Sequence, residues 1–133
     1  MIRSKVALVR CETYDDKQVC DAVEAGLDLL GGISLFIKPG ERIVMKPNVL
    51  IGTNPAKSVT THPAVLKAVG RLLKEADADV SYGDSPSFGK CESGMRKANL
   101  KQAADELGIR VADFDAGRAV SHTESLLIKS FVV

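Results

Sequence analysis

Short apolar, β-branched runs alternate along this chain with longer stretches in which apolar residues recur every three to four positions, and that alternation admits few folds. Residues 5–11 (Lys-Val-Ala-Leu-Val-Arg-Cys), 41–46, 80–82 and 109–112 read as strands. Between them, Val19, Cys20, Val23, Leu27 and Leu30 form one face of a helix over 17–30. Val65, Leu66, Val69, Leu72 and Leu73 do the same over 63–76, and Leu100, Ala103, Ala104 and Leu107 over 95–107. Gly31-Gly32, Asp77-Ala78-Asp79 and Gly108 stop these helices, and Pro39-Gly40 is the residue pair of a type II turn. Strand and helix in turn, joined by short returns, build a parallel sheet with right-handed crossovers. The expected fold is α/β, a three-layer Rossmann-like sandwich on a mainly parallel sheet of four to five strands.

All 133 residues are expected to form a single domain. The stretch 125–133 reads as one more strand and then stops on an uncapped apolar run. This leads us to expect the N-terminal part of a longer domain, with an open edge that a homodimer would cover. With 45% hydrophobic and 26% charged residues the chain can bury a core, and no apolar run reaches membrane-span length, so no membrane partner is expected. Eighteen basic against 17 acidic residues leave no electrostatic footprint for nucleic acid, and aromatic residues at 5% give few stacking platforms. The three cysteines lack Cys-x-x-Cys spacing, which suits a reducing, cytoplasmic setting.

Chemistry is expected where strands end. In open parallel sheets, ligands bind beyond the carboxyl ends of the strands. Lys46-Pro47-Asn48 follows the second strand, Gly83-Asp84-Ser85-Pro86 the third, and Thr60-Thr61-His62 opens the helix between them. Residues 46–62 make a far longer strand-to-helix connection than the usual two to six or so, which favours function over mere linkage. Lys46 could clamp a carboxylate or phosphate, or simply snorkel at a strand end. Asn48, Thr60, Thr61 and Ser85 could line an anion cradle, or serve as turn formers and caps. His62 is the candidate acid–base residue. Asp84 is the candidate metal or substrate ligand, with an Asx turn as its structural alternative. Cys91, flanked by polar residues, is expected in a loop and reactive; with His62 and Asp84 it could make a mixed metal site, though at no diagnostic spacing. Cys11 and Cys20 read as small hydrophobes. Residues 83–90 approach a phosphate-binding P-loop, yet the run is one residue too long and Cys91 stands where Ser or Thr belongs. No glycine fingerprint for a dinucleotide follows the first strand.

Four stretches in order, residues 5–11, 38–48 (Lys-Pro-Gly-Glu-Arg-Ile-Val-Met-Lys-Pro-Asn), 59–63 (Val-Thr-Thr-His-Pro) and 83–86 (Gly-Asp-Ser-Pro), resemble the uncharacterised domain family numbered 362. The resemblance implies an α/β domain in a longer protein, often accompanied by a ferredoxin-like module with two 4Fe-4S clusters. Lys46, Pro47, Asn48, Thr60, Thr61, His62, Gly83, Asp84 and Ser85 match its signature. No ferredoxin-type cysteine cluster is present, so any iron–sulfur cluster would be held elsewhere. The functional expectation is binding of a small anionic ligand or a metal at the sheet rim, with the cofactor and any reaction unspecified. The alternative is a non-catalytic scaffold that docks an electron-transfer module.

Overall fold

The computed structural model describes residues 4–85, 90–114, 116–124 and 126–132. Asp15 opens α1 (Asp16–Leu29), its carboxylate accepting from the N–H groups of Lys17 and Gln18. Gly31, at φ 109°, ends it: Gly32 N–H bonds the Leu27 carbonyl and Gly31 N–H that of Asp28, the paired bonds of a left-handed helix stop. A single 3-10 turn at Ile33–Leu35 and the Pro39-Gly40 turn deliver the chain to β1 (Arg42–Met45). The long loop after β1 carries a second 3-10 turn at Pro55–Lys57. It leads into α2 (Pro63–Glu75), then β2 (Asp79–Tyr82). Beyond these lie α3 (Cys91–Lys97), α4 (Leu100–Asp105) and β3 (Arg110–Val111).

The sheet runs β1-β2-β3, parallel throughout, with Met45 beside Tyr82 and Tyr82 beside Val111. Strand alternation turns Met45, Val80 and Tyr82 to one face, where they meet Leu66 and Leu73 of α2, Met95 of α3 and Leu100 and Ala103 of α4 in one core. Val19 of α1 packs on Ala64 and Ala68, so α1 stands beside α2 in the same helical layer. The opposite face carries Val44, Ser81 and Arg110, with Arg110 paired to Asp79 at 2.9 Å.

Several expectations need correction. Residues 5–11 form no strand: a strand exists only where a ladder satisfies its backbone, and here the segment pairs with none of the described strands, with Val6 and Leu8 about nine-tenths exposed. Among the described residues the parallel sheet has three strands and the helices form one layer, which is α/β; a fourth or fifth strand and a second helical layer are not seen among them. The helix expected over 95–107 starts earlier and is split, because Asn99 adopts φ 57°, a conformation asparagine tolerates. The last expected strand exists as β5 (Ser130–Val132), but pairs antiparallel with β4 (Ala119–Ser121) in a separate hairpin.

One close approach fixes the loop after β1. Gly52, at φ 62°, lies so near Gly94 of α3 that a Cβ on it would stand 2.4 Å from the Gly94 Cα. Gly52→Ala should therefore cost about 2 kcal/mol or more in urea unfolding, from backbone strain plus a clash that cannot relax. Gly40→Ala, with φ 78° but open space around it, should show only the conformational cost of about 1 kcal/mol.

Candidate functional site

Three rim segments meet at Asp84. It follows β2 directly, and its carboxylate is 2% exposed as a residue. One oxygen accepts the Val49 N–H at 2.9 Å, and the other meets the Lys46 ammonium at 2.5 Å. Its own N–H points to the Cys91 sulfur at 3.4 Å. Burial pushes the Asp84 carboxyl up, but the Lys46 ammonium and the N–H groups of Val49 and Ser85 outweigh it and hold the group below the usual carboxylate range. Lys46 is anchored at its tip while its side chain stays 60% exposed. A charge pair with one buried and one open partner is thus fixed at the carboxyl end of the sheet.

The loop that carries Asn48 is laced to the start of α2. Asn48 N–H donates to the Thr61 hydroxyl at 2.9 Å, and Thr61 N–H returns a bond to the Asn48 carbonyl at 3.0 Å. The side chain of Asn48 is left exposed. Val49 is wholly buried, and the turn behind it forces Leu50 to φ 56°, an unusual conformation for leucine. Thr60 is buried, and among the described residues the hydroxyls of Thr53, Thr60 and Tyr82 have no hydrogen-bonding partner. Burial pushes the Tyr82 phenol up to about 12.

The structure therefore joins Lys46, Asn48, Thr61 and Asp84 through the rim segments, with Thr60 buried next to Thr61 in the chain and Ser85 exposed next to Asp84. His62 belongs elsewhere. Its Nδ1 accepts the Ala64 N–H at 3.2 Å as the cap of α2, and its ring stacks on Tyr14 with centroids 3.8 Å apart. It lines a polar cavity of about 330 Å³ with Asp16, Lys67 and Glu106. Lys67 bridges those two carboxylates at 2.5 and 2.8 Å, tying α2 to α1 and α4. Cys91 also departs from expectation. It is the first residue of α3 and 3% exposed, packed in the main apolar core, where its sulfur accepts the Asp84 N–H. Cys11 is exposed, not packed as a hydrophobe. Among the described residues no group of three or more His, Cys, Asp or Glu side chains is placed to hold a metal ion.

Sequence reading missed the Val49 N–H, the Tyr14–His62 stack and the Lys67 bridge. Lys67 reads from the sequence as an outward residue of α2, and no local pattern reveals that two acidic partners lie 51 and 39 positions away. The glycines at 52 and 94 were the available signal for a close backbone contact.

The chain belongs to the family described as Domain of unknown function (DUF362), whose model matches residues 43–133. It is 33% identical over 125 residues to the thylakoid-associated protein sll1697 of Synechocystis sp., a match that covers 94% of this chain and 39% of that protein. The chain thus spans well under half the length of this relative. No solved structure matches. Among the described residues no helix is long and apolar enough to cross a membrane.

Because the folded Asp84 pKa lies below its ordinary value of 3.8, its contribution to stability is complete above that value. It is lost as pH falls through the lowered folded pKa. Asp84→Asn should flatten this acid limb in urea unfolding and cost about 2 kcal/mol at neutral pH. Burial, opposed by Asp16, lowers the His62 pKa below 6.5. Its cap should hold above 6.5 and weaken as pH falls through the lowered value, which a ring-proton titration by NMR would follow.

Proposed function

We propose that this domain binds a small anionic ligand, through a phosphate or carboxylate group, at the carboxyl-end rim of its sheet. The observation that carries the reading is the Lys46–Asp84 pair: a buried carboxylate holds an exposed ammonium at 2.5 Å, where a parallel sheet presents its ligands. Lys46 is the anion clamp, and Asp84 positions it. Asn48 and Ser85, both exposed, offer polar groups beside the clamp, while Thr61 sets the loop and Thr60 holds a buried hydroxyl without a partner among the described residues. A metal at Asp84 is the less favoured ligand, because it would have to displace the ammonium already seated there. His62 stays outside this site, since one ring nitrogen is committed to the α2 cap and the ring to Tyr14.

The proposal extends to the whole protein. A sheet of four to five strands in a larger Rossmann-like domain is supported by the alternating apolar pattern, a cytoplasmic setting by three cysteines without disulfide spacing, and an association with iron–sulfur redox chemistry by the stretches that resemble the family. Any 4Fe-4S cluster would be held by residues beyond these 133. A second reading, a scaffold docking an electron-transfer module, draws on the exposed Leu126, Leu127 and Ile128 before β5.

Calorimetric titration with inorganic phosphate tests the first reading. Lys46→Met should weaken binding by about 10- to 100-fold, the worth of a charge-assisted contact, and Lys46→Arg should retain most of it. His62→Ala should leave affinity unchanged. Equal phosphate affinity in wild type and Lys46→Met would remove Lys46 from the site and leave the scaffold reading.

A further inference from the structure

The sheet is unfinished at β1. Among the described residues β1 pairs with β2 and with no other strand. The carbonyls of Glu41 and Met45 accept from Asp79 and Gly83 of the β2 segment, so strand alternation turns the N–H and C=O of Val44 toward the open side. The Val44 side chain lies on the sheet face away from the helices, and the residue is 53% exposed. Beside it runs an apolar groove of about 360 Å³, walled by Ile43 and Met45 on one side and Val65, Val69 and Leu73 of α2 on the other. An exposed strand edge over an apolar groove is a costly arrangement that native folds cover.

Handedness says what should cover it. Helices α1 and α2 share one layer, and β2 already holds the other side of β1. A strand that feeds α1 and returns to β1 by a right-handed crossover can then stand only on the open edge of β1. Residues 5–11 immediately precede α1, separated from it by the four residues 12–15. They are apolar and β-branched, yet Val6 and Leu8 are 88% and 93% exposed. Val9 already leans on α1: its Cγ2 lies 3.7 Å from where a Cβ on Gly26 would stand.

We propose that residues 5–11 close on the free edge of β1 as a fourth, parallel strand, filling the groove and bringing Arg10 beside Lys46 at the rim. With Val9 kept against the helical layer, alternation sends Ala7 and Cys11 the same way, toward Val65 and Val69. Val6, Leu8 and Arg10 then share the opposite face with Val44 and Lys46. Arg10, which among the described residues pairs with the exposed Glu12 at 2.6 Å, becomes a second cation at the carboxyl end of the sheet. The closed strand stands independently of the anion-binding reading; only the role of Arg10 rests on it.

Amide exchange and NOE measurements on this chain test the closure without any ligand. The Val44 amide should exchange about 100-fold slower than an unstructured amide, with cross-strand NOEs between residues 5–11 and 42–46. An unprotected Val44 without such NOEs overturns the proposal. A mixture of labelled and unlabelled chains separates the competing occupant, since NOEs found only between molecules would mean that a second copy supplies the strand, which also overturns it. Phosphate titration then addresses Arg10. If wild type binds, Arg10→Gln should weaken affinity by about tenfold, and an unchanged affinity removes Arg10 from the rim. Closure seen by exchange with no phosphate binding to wild type would uphold the strand and reject the anion-binding reading instead.

Discussion

A single buried carboxylate ties the rim together. Asp84 sits at the end of β2, takes the Val49 N–H from the loop after β1, and faces the Cys91 sulfur at the start of α3. Without the carboxylate, the Val49 N–H would lose its acceptor in a region where water cannot substitute cheaply; the bond to the Cys91 sulfur comes from the Asp84 backbone N–H and ties the same residue to α3. The Lys46 ammonium supplies the charge balance that burial demands. The same pair that makes the turn stable therefore leaves a fixed cation at the mouth of the sheet, so stability and binding capacity share one origin.

Around that point the packing is arranged by α2. Its inner face meets the sheet through Leu66 and Leu73, and its N-terminal end carries both the Thr61 bond to Asn48 and the His62 cap. Lys67, on the side between neighbours, bonds acidic groups on α1 and just beyond α4. These contacts fix the helix against its neighbours and hold the long loop from both ends. Gly52 against Gly94 then pins the loop's middle, because only two backbones without side chains can approach so closely. A loop of this length would otherwise present its polar groups in many arrangements.

Much of this was legible one segment at a time. The apolar spacing in 63–76 and the glycines after α1 and α4 act through neighbours a few residues away, which is why α1, α2, β1 and β2 lie where their patterns place them. The break at Asn99 was not legible, since the apolar residues on both sides keep helical spacing and the left-handed turn is decided by packing. Lys46, Asn48, Thr61 and Asp84 could be assigned to one rim from connectivity alone. The surroundings of His62 could not be read in the same way, because its stacking on Tyr14 depends on a partner 48 positions away.

The sequence by itself determined the alternation of strand and helix, the parallel direction of the sheet and the end of it at which polar residues gather. Periodicity, turn chemistry and crossover handedness are local or topological constraints, and they need no knowledge of side-chain contacts. Tertiary structure alone decided that Asp84 is a buried anchor for Lys46 and Val49, that Cys91 is core, and that His62 faces Asp16 and Lys67 in a separate cavity. Burial and pairing set the charge state and exposure of these groups, and both arise from residues far apart in the chain that meet only on folding.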